Sequence, residues 1–232
     1  MSTMRFNPDD PNTWPSFRPL IMAHDVGSRR DRSTAVIGGN SPFPPRLLGI
    51  LQSAELPQGL YGSPRANAPA AIDRQHDHNA LIVADLSYDP TYAEVLFETF
   101  GPRVIGLHIC SHGDGMTFVR RPVGNSAILV YTVGRSYLLE LLHAELQANV
   151  VRIAKGEANQ RAYEQLVGLE VEMRESGIVY KCSPGQHDDL GISWAMLAWA
   201  ARHPHLESWI RTGLEARRPR RPRQTFGWRS FV

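Results

Sequence analysis

Leu20-Ile21-Met22-Ala23-His24-Asp25-Val26-Gly27 is an apolar run that stops on an acid, and Leu81-Ile82-Val83-Ala84-Asp85 repeats the pattern further along the chain. Short apolar runs bounded by turn signals read as buried strands. After the charged turn 28–32, the β-branched segment 33–37 ends at Gly38-Gly39 and reads as a hairpin partner. Residues 46–52, following Pro44-Pro45, give a third strand in meander order. An Ala- and charge-rich helix is predicted over 64–78, ahead of the second acid-terminated run. Pro90 suits the start of a helix, Tyr92, Val95 and Leu96 follow at helical spacing, and Gly101-Pro102 ends it. Residues 104–109 form a fifth strand. The order βββ-α-β-α-β, with the last two strands joined by a helical crossover and hence parallel, predicts an α/β fold with a mixed central sheet flanked by helices.

Downstream, 136–150 is an amphipathic helix with Leu138, Leu141, Leu142 and Leu146 on one stripe. A short strand over 150–154, a helix over 157–166 and a strand pair at 169–173 and 177–181 follow. Ser183-Pro184-Gly185 breaks the chain before a long helix over 188–202, whose stripe is Leu190, Trp194, Leu197, Ala198 and Ala201. No element is predicted between the fifth strand and residue 136, and no internal repeat is present.

The chain has 232 residues, 42% hydrophobic and 21% charged, a composition that sets aside disordered and collagen-like classes and a length that suits one sizeable domain or two small ones. Its net charge of +2 is the sum of unlike parts: Arg211 to Val232 carries seven arginines against Glu215, leaving a net of −4 for everything before it. The organisation expected is an extension over 1–19, a domain over 20–210 and a basic Arg/Pro-rich tail over 211–232. Cys110 and Cys182 are the only cysteines, too few for a disulfide scaffold, and no stretch is apolar enough for a membrane span. A cytoplasmic protein with no membrane partner is expected.

Chemistry concentrates on acids. Asp25 and Asp85 each end a strand, where a rigid element holds a carboxylate that still faces solvent. Asp188-Asp189 opens the long helix and offers a third. Magnesium and manganese take oxygen ligands, and two such ions can activate water and stabilise the leaving oxygen of a phosphodiester. Taken singly, each strand-end aspartate also reads as a turn or cap residue, and Asp188 as an N-cap with Asp189 complementing the helix dipole.

In the order of these acids the chain resembles the RNase H-like nuclease domain of the bacteriophage terminase large subunit. The resemblance rests on Ile21 to Gly27 followed by Asp31-Arg32-Ser33-Thr34-Ala35-Val36, on Leu81 to Asp85, and on Pro184-Gly185-Gln186-His187-Asp188-Asp189-Leu190 running into an Ala-rich helix. It implies an RNase H-like fold, a metal-dependent endonuclease that cleaves concatemeric viral DNA during packaging, and two Mg2+ or Mn2+ ions. Asp25, Asp85 and Asp189 would be the metal-binding acids, with Asp188 the alternative third member. Implied partners are double-stranded DNA and a separate packaging ATPase, small terminase subunit or portal, in the bacterial host cytoplasm. The chain departs from that family in lacking a G-x-x-x-x-G-K-[ST] phosphate loop, so no ATPase activity is expected. It also carries Ser87-Tyr88-Asp89-Pro90 where a Gly-rich turn would follow the second acid. The rival readings are a junction-resolving nuclease of the same fold and a non-catalytic DNA-binding remnant.

Other residues are weaker candidates. His108, Cys110, His112 and Asp114 have metal-ligand chemistry but no distant partner pair. His112 or Asp114, beyond a fifth strand that ends on the same edge as Asp85, is a candidate auxiliary acid or base. His24 and His187 adjoin the acids in sequence and would at best orient them; alternation turns His24 away from Asp25, as expected of a packed or solvent-facing residue. Arg120, Arg121 and Arg135 are candidate DNA-backbone contacts. In the tail, Arg217, Arg218, Arg220, Arg221 and Arg223 read as a phosphate-neutralising arm, with Phe226, Trp228 and Phe231 beyond them as docking or base-stacking groups.

Overall fold

Residues 7–14, 20–27, 32–41, 44, 46–57, 62–76, 80–174, 177–182 and 187–213 are described by the structure, a computed structural model. The meander is present: β1 (Leu20–Asp25) pairs antiparallel with β2 (Thr34–Asn40), and β2 with β3 (Leu48–Glu55). β4 (Ala80–Asp85) lies parallel to β1 on its other side, and β5 (Val104–Cys110) parallel to β4. Their α crossovers are α1 (Gly62–Gln75) and α2 (Tyr92–Phe100). β1, β2 and β4 are apolar and buried along nearly their whole length, as strands covered on both faces must be.

The region 111–135, given no element above, holds a hairpin of β6 (Asp114–Val123) and β7 (Ser126–Gly134). The loop Gly124-Asn125, with Gly124 at φ 55°, is a two-residue hairpin connection that favours glycine and asparagine. β7 inserts beside β5 in parallel, and β8 (Val151–Ile153) closes the other end beside β3. The resulting order is β6-β7-β5-β4-β1-β2-β3-β8 among the described residues. β6 is the edge, where exposed Arg120 and half-buried Arg121 precede Pro122, residues that discourage further pairing.

α1 and α2 cover one face, packing on Met22, Ile37, Ile82 and Val104. The other face is covered by α3 (Arg135–Gln147), α4 (Glu157–Val167), α5 (Asp189–Arg202) and α6 (Leu206–Gly213). α5 is buried from Leu190 to Ala201. A helix apolar all round fits only where neighbours surround it, and here the sheet lies below with α3 and α4 on its flanks. β9 (Glu170–Arg174) and β10 (Gly177–Lys181) form a separate two-stranded sheet.

α6 has no counterpart among the elements expected from the sequence, and it runs past Arg211, where the basic tail was expected to begin. Trp209 of α6 stacks on His203 at 4.4 Å and donates to the Tyr131 hydroxyl at 3.3 Å, which docks the helix on β7. Arg217, Arg218, Arg220, Arg221 and Arg223 of the tail, with the three aromatic residues beyond them, lie outside the described residues, as do Asp31 and the loop 183–186.

Candidate active site

Parallel pairing puts the ends of β1 and β4 side by side: His24 is level with Ala84, so the next residues along, Asp25 and Asp85, are neighbours on adjacent strands. Alternation then selects the face. Ile21 and Ala23 on β1, and Leu81 and Val83 on β4, pack toward α5, and Asp25 and Asp85 follow in the same phase. α5 begins on this face with Asp188 immediately before it and Asp189 as its first residue. The four acids line one cleft of about 950 Å³.

Asp85 is buried, with 7% of its surface exposed. Its Oδ1 accepts the Ser87 N–H at 2.9 Å and also the Ser87 hydroxyl. The same Ser87 oxygen accepts the Ile109 N–H at 2.7 Å, which ties the turn after β4 to the end of β5. Burial pushes the Asp85 carboxyl above its usual value, and the bonds from Ser87 oppose that rise.

Asp188 occupies the N-cap position of α5, yet its side chain does not cap the helix. It forms an ion pair with Arg135, the first residue of α3. Capping is done instead by Gln165 of α4, whose Oε1 accepts the Leu190 N–H at 3.1 Å and the Gly191 N–H at 3.3 Å. That serves two of the four helix-start donors without either aspartate. Thr34, paired with Asp25 across β1 and β2, donates its hydroxyl to the Asp189 carbonyl at 3.2 Å. Ser193 bonds that same hydroxyl oxygen at 2.6 Å, so the first turn of α5 is pinned to the strand next to Asp25.

His112 lines the cleft, and its Nδ1 shares a hydrogen bond of 2.9 Å with the Ser111 hydroxyl. Asp114 is not part of the lining; its carboxylate accepts the Met116 N–H at the start of β6. Arg120 and Arg121 lie along the β6 edge, away from the lining, whereas Arg135 is within it. His24 is fully buried on the opposite face, where Nδ1 bonds the Thr34 carbonyl at 2.8 Å and Nε2 the Tyr92 hydroxyl at 3.4 Å. Ser87, Thr34 and Gln165 act on the acids but were not selected above. Their signal exists only across strands and helices, except for Ser87, which stands two residues after Asp85 as in a short Asx turn.

Carboxylate oxygen is the donor chemistry of hard divalent cations, and a nearby cation would offset the cost of ionising the buried Asp85. Among the described residues, no three His, Cys, Asp or Glu side chains stand close enough together to share a metal ion as they are placed. Asp25, Asp85, Asp188 and Asp189 therefore line one cleft without forming a closed cage.

No protein-family profile matches the chain, and no curated protein matches it in sequence. Among solved structures, it is similar to the large terminase nuclease from thermophilic phage G20c, with 18% identity, a TM-score of 0.51, and 79% of this chain and 84% of that chain covered. The Thermus phage P74-26 large terminase nuclease domain follows, at 16% identity and a TM-score of 0.49, with 80% and 82% covered. The g2p (large terminase) nuclease domain from bacteriophage SPP1, solved with bound Mn, is at 14% identity and a TM-score of 0.46, with 79% and 86% covered. The fold is RNase H-like, with a mixed sheet of eight strands among the described residues between layers of helices.

Proposed function

We propose that the chain is a metal-dependent DNA endonuclease of the kind found in terminase large subunits. The observation that carries this reading is the meeting of Asp25, Asp85, Asp188 and Asp189 in one cleft, from two parallel strand ends and one helix start. Asp25, Asp85 and one acid of the 188–189 pair would hold Mg2+ or Mn2+, in the two-ion arrangement such acids support. When bound, the ions would supply Lewis-acid stabilisation and a water acidic enough to attack phosphorus.

The chain's own residues set the stage for that chemistry. Ser87 fixes Oδ1 of Asp85 with two hydrogen bonds, one from its N–H and one from its hydroxyl. Thr34 and Ser193 hold the Asp189 backbone level with Asp25. His112 is the auxiliary proton-transfer candidate, since it alone of the pair with Asp114 lines the cleft. The substrate would be double-stranded DNA, with the basic segment after Gly213 adding phosphate attraction. A packaging ATPase, a small terminase subunit or a portal would be its packaging partners.

The test is cleavage of supercoiled plasmid by the full chain with Mn2+ or Mg2+. The expected outcome is nicked and linear product with metal, none with chelator, and loss of at least a hundredfold in rate for Asp85→Ala, on the scale of roughly 3 kcal/mol of lost transition-state stabilisation. Cleavage at the wild-type rate by Asp85→Ala would overturn the reading. Equal turnover of linear and four-way substrates separates a general endonuclease from a junction-selective one.

A further inference from the structure

The two helix-start acids are not equivalent. Asp188 is already engaged by Arg135, while Asp189 is the acid whose backbone Thr34 ties to the Asp25 strand pair. Among the described residues lining the cleft, Arg135 is the sole arginine or lysine, set among Asp25, Asp85, Glu140, Asp188 and Asp189. Such a wall of carboxylates repels a phosphodiester, and a guanidinium pinned inside it is the group that can receive one.

Arg135 can do so without leaving Asp188. Its side chain is 41% exposed, against 13% for Asp188. A guanidinium has five donors in a rigid fork, and the ion pair to Asp188 engages one terminal nitrogen, Nη2. A tethered arginine keeps its direction and loses little freedom when a phosphate oxygen arrives, whereas a free one pays to be ordered.

We propose that Arg135 is the phosphate-binding residue of the cleft, that Asp188 is the positioning acid that presents it, and that Asp189 is the member of the pair that joins Asp25 and Asp85. This rests on the nuclease reading above. It assigns the neighbouring aspartates separate tasks, metal binding for Asp189 and substrate positioning for Asp188.

The experiment measures two bindings on the full chain. Mn2+ affinity is read by calorimetry without DNA, and duplex affinity by fluorescence anisotropy in Ca2+ over a series of salt concentrations. For Arg135→Ala the expected result is unchanged Mn2+ affinity and unchanged melting temperature, with duplex binding weakened about tenfold. The plot of log affinity against log salt should become shallower by about one unit, the signature of one lost phosphate contact. Arg135→Lys should recover part of the loss. Asp188→Asn should keep Mn2+ binding and weaken duplex binding, whereas Asp189→Asn should lose Mn2+ binding.

Wild-type duplex affinity and salt slope in Arg135→Ala would overturn the assignment, as would Mn2+ loss in Asp188→Asn equal to that in Asp189→Asn. If Arg135→Ala unfolds, Arg135→Gln, which can still hydrogen bond to Asp188 without the charge, gives the same readout. A wild-type chain that neither binds Mn2+ nor cuts DNA overturns the nuclease reading itself. A wild type that does both, with Arg135→Ala unchanged in DNA binding, overturns only the role of Arg135.

Discussion

Ser87 serves two elements with one hydroxyl: it donates to Asp85 and accepts from the Ile109 backbone. Its loss leaves Asp85 buried with fewer bonds to its charged form, and lets the carboxylate rotate away from the cleft. Ser87→Ala is expected to slow metal-dependent plasmid cleavage about tenfold, in keeping with the loss of one hydrogen bond to a charged group. Ser87→Thr, which keeps the hydroxyl, should retain most of the rate, and circular dichroism should show both variants folded. Equal rates for Ala and Thr would mean that Asp85 is held by its backbone alone. The buried Asp73 and Arg103 make the contrasting case: a fully desolvated ion pair, 2.8 Å apart, that ties α1 to the start of β5 far from the acids. Buried charge is thus not by itself a mark of the site in this protein.

At the scale of elements, α5 positions the helix acids because it lies flat on the sheet, and Gly38 permits that approach. The register between β2 and β3 shifts at Ile37 and Gly38, and a methyl group at Gly38 would fall 2.1 Å from the Gly49 carbonyl oxygen and 3.0 Å from Leu197 of α5. Since the first obstacle is backbone, it cannot rotate out of the way. Gly38→Ala is expected to cost about 2–4 kcal/mol, read as a lower urea midpoint, through overpacking and loss of the bulge geometry. Elements with a local period were legible in the chain: β1, β4, α2 and α5 follow apolar runs with turn or cap signals at their ends. The β6–β7 hairpin was equally local, with Gly124-Asn125 between two β-rich segments, and the metal-ligand residues at 108–114 drew the reading toward chemistry instead. α6 was missed because its buried positions, Leu206, Trp209 and Gly213, are few and find partners in other elements, among them Tyr131, Trp199 and the turn at Pro102.

On the scale of the whole molecule, two buried histidines link stability to pH. His24 gives its Nδ1 proton to the Thr34 carbonyl, and Nε2 accepts from Tyr92. His203 donates from Nε2 to the Gly115 carbonyl at 3.1 Å, while Nδ1 accepts the His205 N–H at 3.1 Å. Both rings use both nitrogens as neutral imidazoles, so a second proton breaks a bond and charges a desolvated ring. Burial lowers His24 from 6.5 to about 4 and lowers His203 in the same direction. Between those values the unfolded chain binds protons that the folded chain does not, so stability is intact above about pH 6.5 and is lost as pH falls toward 4. The His24 contribution is about 3 kcal/mol over that range. Urea titrations at pH 7 and 5 should show the decline, and His203→Gln should flatten part of it; a midpoint independent of pH would contradict this account. At the same scale, α6 ends at Gly213 packed on Pro102 and Arg103 at the beginning of β5, the opposite end of the parallel strands from Asp25 and Asp85.

The sequence by itself determined the α/β class, the succession of β1 to β5 along the chain, and the candidate acids Asp25, Asp85, Asp188 and Asp189, because apolar runs, crossover lengths and strand-end residues are local features. Only the tertiary structure decided that these acids share one cleft, that Arg135 rather than Arg120 or Arg121 stands among them, and that Asp188 pairs with it. It also decided that Gln165 takes over the capping of α5. Those facts depend on which strands lie parallel and which helix starts meet at a sheet edge, and such meetings join residues tens of positions apart, 25 for Gln165 and Leu190 and 53 for Arg135 and Asp188, beyond the reach of any local period.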